Sequence, residues 1–317
     1  MQDFITEQKS FGEKIVEGLK ARLKNKLEFD LRTIVKSNDC SRNVLIIQEP
    51  NDSVGKTVCL DDMFKAYQEQ NVTIEMLVEE LVPICEMKTP NFVELDDSKC
   101  LLEKMQDFDY LLLNGNITLK LINRSMSEKY LEGKAYLEFL DLAIVFCMIM
   151  KTSDTEIGTI AIPEEITKEW NVSLNQAFEK VLEVIEKENP IVRMTMFDFM
   201  SDMIARNLGD LKELEEFVAP SKEMYIQTNQ QKINGSMTLV YKDNLLRFSE
   251  ETGWSSIYII PSSIHELLFI PITEEVSEEN LKSMIVEVNT TQIADEEVLS
   301  NNLYIYNKVT NEIRICD

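Results

Sequence analysis

Residues 258–272, YIIPSSIHELLFIPI, constrain the fold more than any other stretch, because two apolar runs flank a short polar corner. Short apolar runs bounded by turn residues are typical of buried strands. The Pro-Ser-Ser corner predicts a tight connection between a strand at Ile257–Ile260 and a strand at Leu267–Ile272. The corner also holds His265, the only histidine of the chain. Any site that uses imidazole chemistry must therefore lie here.

The corner has a functional and a structural interpretation. In a hydrolase or transferase, Ser262 or Ser263 would be the nucleophile, His265 the base, and Glu266 or a more distant acid the group that orients it. Neighbours on a strand point to opposite faces, which disfavours Glu266 in that role. Asn289 would close a helix in a left-handed conformation and share a polar pocket with Ser262 and His265. In the structural interpretation the hydroxyls bond to turn amides and His265 stabilises a strand end.

The charge balance is strongly acidic. The 317 residues include 56 acidic and 32 basic side chains, a net charge of −24. Residues 1–150 carry −8 and residues 151–317 carry −16. Such a field repels DNA and anionic membranes and attracts basic partners, or it serves only to keep the protein dissolved. Few Gly and Pro residues, 9 and 8, argue against long disordered segments.

The remaining motifs predict neither a cofactor nor a metal. The six cysteines form no C-x-x-C pair, and their apolar neighbours predict reduced, buried thiols. Gly55-Lys56-Thr57 resembles the end of a phosphate-binding loop, but Pro50 stands where that motif requires glycine. The longest apolar run, Leu142–Met150, is too short to span a bilayer, and the first residues lack the apolar core of a secretion signal. We therefore expect a cytoplasmic protein.

Periodicity predicts a mixture of helices and strands. An amphipathic helix over 2–24 precedes an antiparallel meander, and Pro83 is expected to kink or end a helix that Thr73 caps. The meander strands are 27–35, 44–48 and 57–60. Residues 110–113 and 117–122 form either a hairpin at Asn114-Gly115 or a helical segment. Further elements are a buried strand near 140–150, helices at 163–170, 173–187, 193–208, 211–218 and 277–288, and a final hairpin at 303–315. Ser173 is expected to cap the helix over 173–187. Residues 237–251 fit a strand or a helix.

These elements predict an α+β fold with mainly antiparallel strands and packed helices. We expect two lobes, an N-terminal one over 1–123 and a C-terminal one over 124–317 that contains the corner.

Several segments carry a resemblance to a known family. They are Ile260–Glu266 (IPSSIHE), Glu287–Thr291 (EVNTT) and Glu296–Tyr306 (EEVLSNNLYIY), together with Leu121–Asn123 and Phe139–Val145. In these segments the chain resembles an uncharacterised domain-of-unknown-function family of Gram-positive gut bacteria. The resemblance implies a shared fold and supplies no mechanism.

Three functional hypotheses follow from the residues. The first is a non-enzymatic protein-binding or regulatory module whose acidic surface binds a protein with a basic surface, without direct contact to nucleic acid or membrane. The second is the hydrolase or transferase built on Ser262 or Ser263 and His265. The third is a nucleic-acid mimic that inhibits a basic DNA- or RNA-binding protein.

Overall fold

The protein has an α+β fold with mainly antiparallel strands, as the sequence predicts. The computed structural model describes residues 2–24, 26–50, 55–69, 71–87, 99–151, 157–207 and 224–316. The chain forms two compact units. The first comprises 1–36, 40–102 and 150–158, and the second comprises 37–39, 103–149 and 159–317. Residue 123, the expected boundary, ends a strand within the second unit.

Among its described residues, the first unit contains a three-stranded antiparallel sheet and helices α1 to α3. Its elements are α1 (Gln2–Leu23), β1 (Glu28–Val35), β2 (Ser41–Gln48), β3 (Gly55–Cys59), α2 (Asp61–Gln68) and α3 (Ile74–Glu86). The sheet order β1-β2-β3 confirms the predicted meander. The apolar face of α1 packs on α3, and a Cβ on Gly18 would lie 2.5 Å from Val78 Cγ2. A larger residue at this position would require Val78 to shift, and glycine avoids that contact.

Helix α3 corrects one prediction. Thr73 caps it as expected, but the helix does not end early, since it continues past Pro83 to Glu86. The Lys56 ammonium donates to the carbonyl oxygens of Ile84 and Cys85 at 2.9 and 3.0 Å. These bonds satisfy carbonyls that a helix end leaves unpaired, and the positive charge favours the helix C-terminus.

The described part of the second unit contains two sheets and most of the described helices. Its helices are α5 (Phe108–Leu113), α6 (Glu128–Leu131), α7 (Glu164–Thr167), α8 (Leu174–Glu188), α9 (Met196–Asn207), α10 (Asn244–Thr252) and α11 (Glu278–Thr291), after α4 (Lys99–Gln106), which spans the boundary. Its strands are β4 (Ile117–Asn123), β5 (Tyr136–Phe139), β6 (Leu142–Lys151), β7 (Ile157–Ala161), β8 (Ile191–Thr195), β9 (Tyr225–Asn229), β10 (Ser256–Ser263), β11 (Glu266–Pro271), β12 (Tyr304–Asn307) and β13 (Glu312–Ile315).

The two sheets are built around predicted strands. In the smaller one β6 lies between β4 and β5 and also pairs with β7, and its side chains from Leu142 to Met148 are buried, as the apolar run predicts. The larger sheet has the order β13-β12-β10-β11-β9-β8. Short 3₁₀ turns at Ser37–Asp39, Ser125–Ser127, Gly235–Val240 and Asp295–Glu297 complete the unit.

The structure decides two segments that the sequence left open between strand and helix, and it corrects the start of one predicted helix. Residues 110–113 lie in α5, so Asn114-Gly115 joins a helix to a strand and does not form a hairpin. The helix expected from Arg193 starts as strand β8, because β9 supplies its backbone partners, and becomes helical only at Met196. The 237–251 segment is a 3₁₀ turn followed by α10. The predicted helix at 211–218 lies outside the described residues.

The described cysteines differ in their exposure to solvent. Cys85, Cys147 and Cys316 are buried, whereas Cys59 is exposed. Burial raises the pKa of the Cys147 thiol to about 11, so this thiol stays protonated and unreactive near neutral pH. Among the described residues no helix combines the length and apolar character needed to cross a bilayer.

Candidate functional site

The Pro-Ser-Ser corner is a hairpin end. Strand β10 continues through Pro261 to Ser263, and its register with β11 shifts between Ile260 and Ser263. Ser263 then pairs with Glu266, and Ile264 and His265 form the turn. Pro261, Ser262 and Ser263 therefore belong to the distorted end of β10, and Ile264-His265 is the turn that joins β10 to β11.

His265 contacts two groups outside the hairpin. Its Nδ1 accepts a hydrogen bond from the backbone N–H of Asn234 at 3.2 Å, and its Nε2 lies 3.5 Å from Glu297 Oε1. Because Nδ1 is an acceptor, the neutral ring carries its proton on Nε2, toward Glu297. The side chain is 34% exposed. Glu297, which the sequence did not single out, is thus the carboxylate beside the ring.

The two serines bond to groups other than the imidazole. The Ser262 hydroxyl donates to Glu266 Oε1 at 3.2 Å, and Ser263 Oγ accepts from the backbone N–H of His265 at 3.0 Å. A serine nucleophile needs its hydroxyl within about 3.2 Å of the base. Since neither hydroxyl makes that contact, the structure offers no assembled Ser–His pair, and the hydrolase hypothesis stays a prediction.

Backbone contacts hold the turn in place. The His265 carbonyl accepts from Thr228 Oγ1 and the Ile264 carbonyl accepts from Ser236 Oγ, both at 2.8 Å. The Ile264 N–H donates to the carbonyl of Glu297 at 2.9 Å. A Cβ on Gly235 would lie 2.2 Å from the His265 carbonyl oxygen. The turn is therefore held by hydrogen bonds with Thr228, Ser236 and Glu297, which lie in three segments outside the hairpin.

Asn289 does not close its helix. It lies inside α11, which ends at Thr291, and its side chain is buried. Its amide donates to the Ser300 carbonyl at 3.0 Å and to Asn301 Oδ1 at 2.9 Å. The pocket expected to join Asn289 to Ser262 and His265 stays a prediction. Asn289 and His265 instead both contact residues 295–302, here called the 295–302 segment.

Asp141 binds the other end of the 295–302 segment. Its Oδ2 accepts from Ser300 Oγ at 2.6 Å and from Asn302 Nδ2 at 2.9 Å, while its Oδ1 accepts from the Tyr304 hydroxyl at 2.7 Å. Burial, and then the charge of Asp141, raise the pKa of the Tyr304 phenol. Sequence reasoning missed Asp141, because nothing local separates it from the other surface aspartates.

Two asparagines complete this network. Asn123 donates to the Leu299 carbonyl at 3.1 Å. Asn38 donates to the carbonyls of Asp295 and Val298, each at 2.7 Å. The segments that carry the family resemblance thus meet around the 295–302 segment, although they are far apart in sequence.

The network is suited to holding the fold, since its polar atoms satisfy one another. Among the described residues, the only buried side-chain polar atom without a hydrogen-bond partner is Ser201 Oγ. In the same part of the chain no group of three or more His, Cys, Asp or Glu side chains could hold a metal ion.

An acidic cleft of about 580 Å³ lies elsewhere on the second unit. Its lining includes the four carboxylates of Glu103, Asp107, Asp109 and Glu169. Lys180 is the only basic residue in that lining. Asp107 caps α5 by accepting from the N–H of Tyr110, whereas the other three form no salt bridge among the described residues. The cleft therefore has an excess of negative charge on a concave surface.

Comparison with known proteins identifies a family but no characterised relative. No curated protein and no solved structure matched the chain. The model of a family of unknown function, DUF5688, matches residues 8–308, which include most of both units. The chain belongs to the DUF5688 family.

Proposed function

We propose that this protein is a non-enzymatic binding module of the bacterial cytoplasm and that its partner is a protein with a basic surface. The observation that carries the proposal is the position of the negative charge. No Asp or Glu is among the buried side chains of the described residues. The second unit has 36 acidic and 18 basic side chains, a net charge of −18, against 20 and 14, or −6, in the first.

The acidic cleft gives this charge a shape that suits a partner. Lysine and arginine side chains fit concave sites lined by carboxylates, since each makes charge-assisted hydrogen bonds there. Charge complementarity of this kind accelerates association and selects partners more than it adds affinity. The polar atoms of the network around the corner bond to one another, which supports a role for the corner in stabilising the fold. We therefore propose that the partner binds to the acidic surface.

The test is an affinity capture from a bacterial cytoplasmic extract, washed at low and high salt, with bound proteins identified by mass spectrometry. We expect a stoichiometric basic partner whose retention falls as salt rises, because salt screens exposed charges. Glu103→Lys with Glu169→Lys should weaken capture more than Glu80→Lys with Glu86→Lys, which change the charge equally on exposed residues of the first unit.

Two results would contradict the proposal. One is the absence of any salt-sensitive partner. The other is a partner that binds the cleft variant and wild type equally well. A captured DNA- or RNA-binding protein would support the proposal and identify its partner class.

A further inference from the structure

An apolar groove runs along one side of α8 in the second unit. It has a volume of about 500 Å³, and its walls come from α8, β5, β13 and the 3₁₀ turn at Gly235–Val240. Its partly exposed apolar side chains are Leu137, Phe139, Phe178, Val240 and Ile313. Apolar side chains that share a concave surface and remain in contact with water are typical of a protein-binding groove.

The walls of the groove are held in place by the fold. Ser173 and Gln176 form a reciprocal capping box at the start of α8. At its other end the buried Tyr241, which lines the groove, donates its hydroxyl to the Asn189 carbonyl at 3.1 Å. A preformed groove binds without a large ordering cost, which favours affinity.

The groove carries negative charge, which indicates the kind of segment that can bind there. Its lining contains the carboxylates of Glu138 and Glu179 and no Lys, Arg or His. Glu138 pairs with Arg124 at 2.6 Å, whereas Glu179 forms no salt bridge among the described residues. Asn175, Phe178 and Glu179 share one face of α8, so the apolar wall and the negative rim are adjacent. An apolar segment flanked by positive charge complements this surface.

We propose that this groove binds an amphipathic helix of the partner, whose apolar side chains enter it while flanking Lys or Arg side chains meet the acidic rim. This inference rests on the proposed function and adds the place and chemistry of contact. It follows the general mode in which a helix lays its apolar face into a groove.

The test uses two synthetic 14-residue peptides of equal positive charge. In the first, Leu occupies one helical face and Lys the other, and in the second Ser replaces each Leu. Fluorescence anisotropy measures binding to the full chain. We expect the Leu/Lys peptide to bind at least about tenfold more tightly, because only it can bury apolar surface.

Val240→Asp separates groove binding from simple charge attraction. It makes the protein more acidic, so attraction alone predicts tighter binding, whereas blocking the groove should weaken Leu/Lys binding about tenfold. Val286→Asp on the exposed surface of α11 is the matched control and should not weaken binding. Phe178→Ser provides a second groove variant, and thermal melts establish that each variant is folded.

Two results would overturn the proposal that the groove binds a helix. One is equal affinity of the two peptides, and the other is unchanged or tighter binding of the Leu/Lys peptide by folded Val240→Asp. The same variant then tests any partner found by affinity capture. If a salt-sensitive partner binds wild type and Val240→Asp equally, groove binding is refuted and the proposed function is not. Absence of such a partner sinks the proposed function, whatever the peptides show.

Discussion

The two units bury different kinds of side chain. The core of the first unit consists of apolar residues and Cys85, gathered from α1, the sheet, α2 and α3. Every buried polar side chain of the described residues lies in the second unit, from Asn123 to Ser300. The first unit is therefore held by apolar burial, which is non-directional, and the second also by hydrogen bonds, which require particular partners.

This difference explains why the second unit tolerates so many buried amides and hydroxyls. A buried polar group costs free energy unless it is hydrogen-bonded. Gln227, fully buried, donates to Thr238 at 2.9 Å and accepts from Arg193 at 2.7 Å. The Arg193 guanidinium lies 4.8 Å from the centre of the Phe248 ring. Polar partners and an aromatic face thus share one part of the core.

The largest expected effect tests apolar burial in the first unit. Phe11 is 1% exposed and its ring lies 5.2 Å from that of Phe64. Phe11→Ala should lower the free energy of unfolding by about 3–5 kcal/mol, through lost burial and a cavity. Urea unfolding followed by circular dichroism measures it. Tryptophan fluorescence serves as an internal reference, since Trp170 and Trp254 both lie in the second unit.

Phe199→Ala is the matched control for that deletion. Phe199 is 39% exposed, so its loss should cost less than about 1 kcal/mol. Equal costs for the two substitutions would refute apolar burial as the basis of the first unit.

The second prediction concerns the close approach at the corner. Gly235→Ala should destabilise the protein by about 2–3 kcal/mol, because the new methyl group collides with a backbone carbonyl that cannot move freely. Gly133→Ala is the control. Its φ of +68° carries a strain of about 1 kcal/mol, but the added Cβ meets nothing within 4 Å. Thermal melts rank the two, and the reverse order would contradict the described corner.

Asp141→Asn tests whether directional bonds stabilise the second unit. The introduced amide group would face donors that now bond to a carboxylate, so we expect a loss of about 2 kcal/mol. Asp62→Asn, at an exposed position in the first turn of α2, should cost about 0.5 kcal/mol. A change at Asp141 no larger than the control would show that the network adds little stability.

Alkaline pH should weaken the second unit through its buried tyrosines. Burial, and then the charge of Glu186, raise the pKa of Tyr241. An unfolded tyrosine loses its proton near pH 10, whereas the folded one keeps it, so stability is present below about pH 10 and is lost as pH rises above it. Each such tyrosine contributes a slope of about 1.4 kcal/mol per pH unit.

Tyr241→Phe isolates this contribution. It removes one ionisable phenol, so the variant should lose about 1 kcal/mol less than wild type between pH 10 and 11, an interval in which the unfolded phenol is still titrating. Urea midpoints at both pH values give the comparison. Identical pH dependence of the two proteins would exclude Tyr241 as a source of alkaline destabilisation.

The smallest expected effect separates the two contacts of His265. Asn can place an oxygen near the position of Nδ1 and keep the bond from the Asn234 N–H, while Gln instead reaches toward Glu297. We expect His265→Gln to cost about 1 kcal/mol and His265→Asn less, because only Gln leaves that backbone donor without its partner. Greater loss in the Asn variant would identify Glu297 as the more important contact.

Prediction from sequence succeeded where the pattern is local. Helix α1, the first meander, the buried strand β6 and the Ser173 cap follow from periodicity and capping chemistry, which involve residues within a few positions of one another. Strand β8 was missed because its conformation depends on pairing with β9, some thirty residues later. The site was found only in part for the same reason, since Asp141 and Glu297 contact residues distant in sequence.

By itself the sequence determined the fold class, the strongly acidic balance and the position of the single histidine, because composition and short-range periodicity carry that information. Only the tertiary structure decided what the corner residues contact. A hydroxyl, an amide or an imidazole can form hydrogen bonds with many different groups. The path of the backbone decides which of these groups lies within hydrogen-bond distance. In the structure Ser262 donates to Glu266, and Ser263 accepts from the backbone N–H of His265. The His265 ring contacts Asn234 and Glu297, and Asn289 donates to the 295–302 segment.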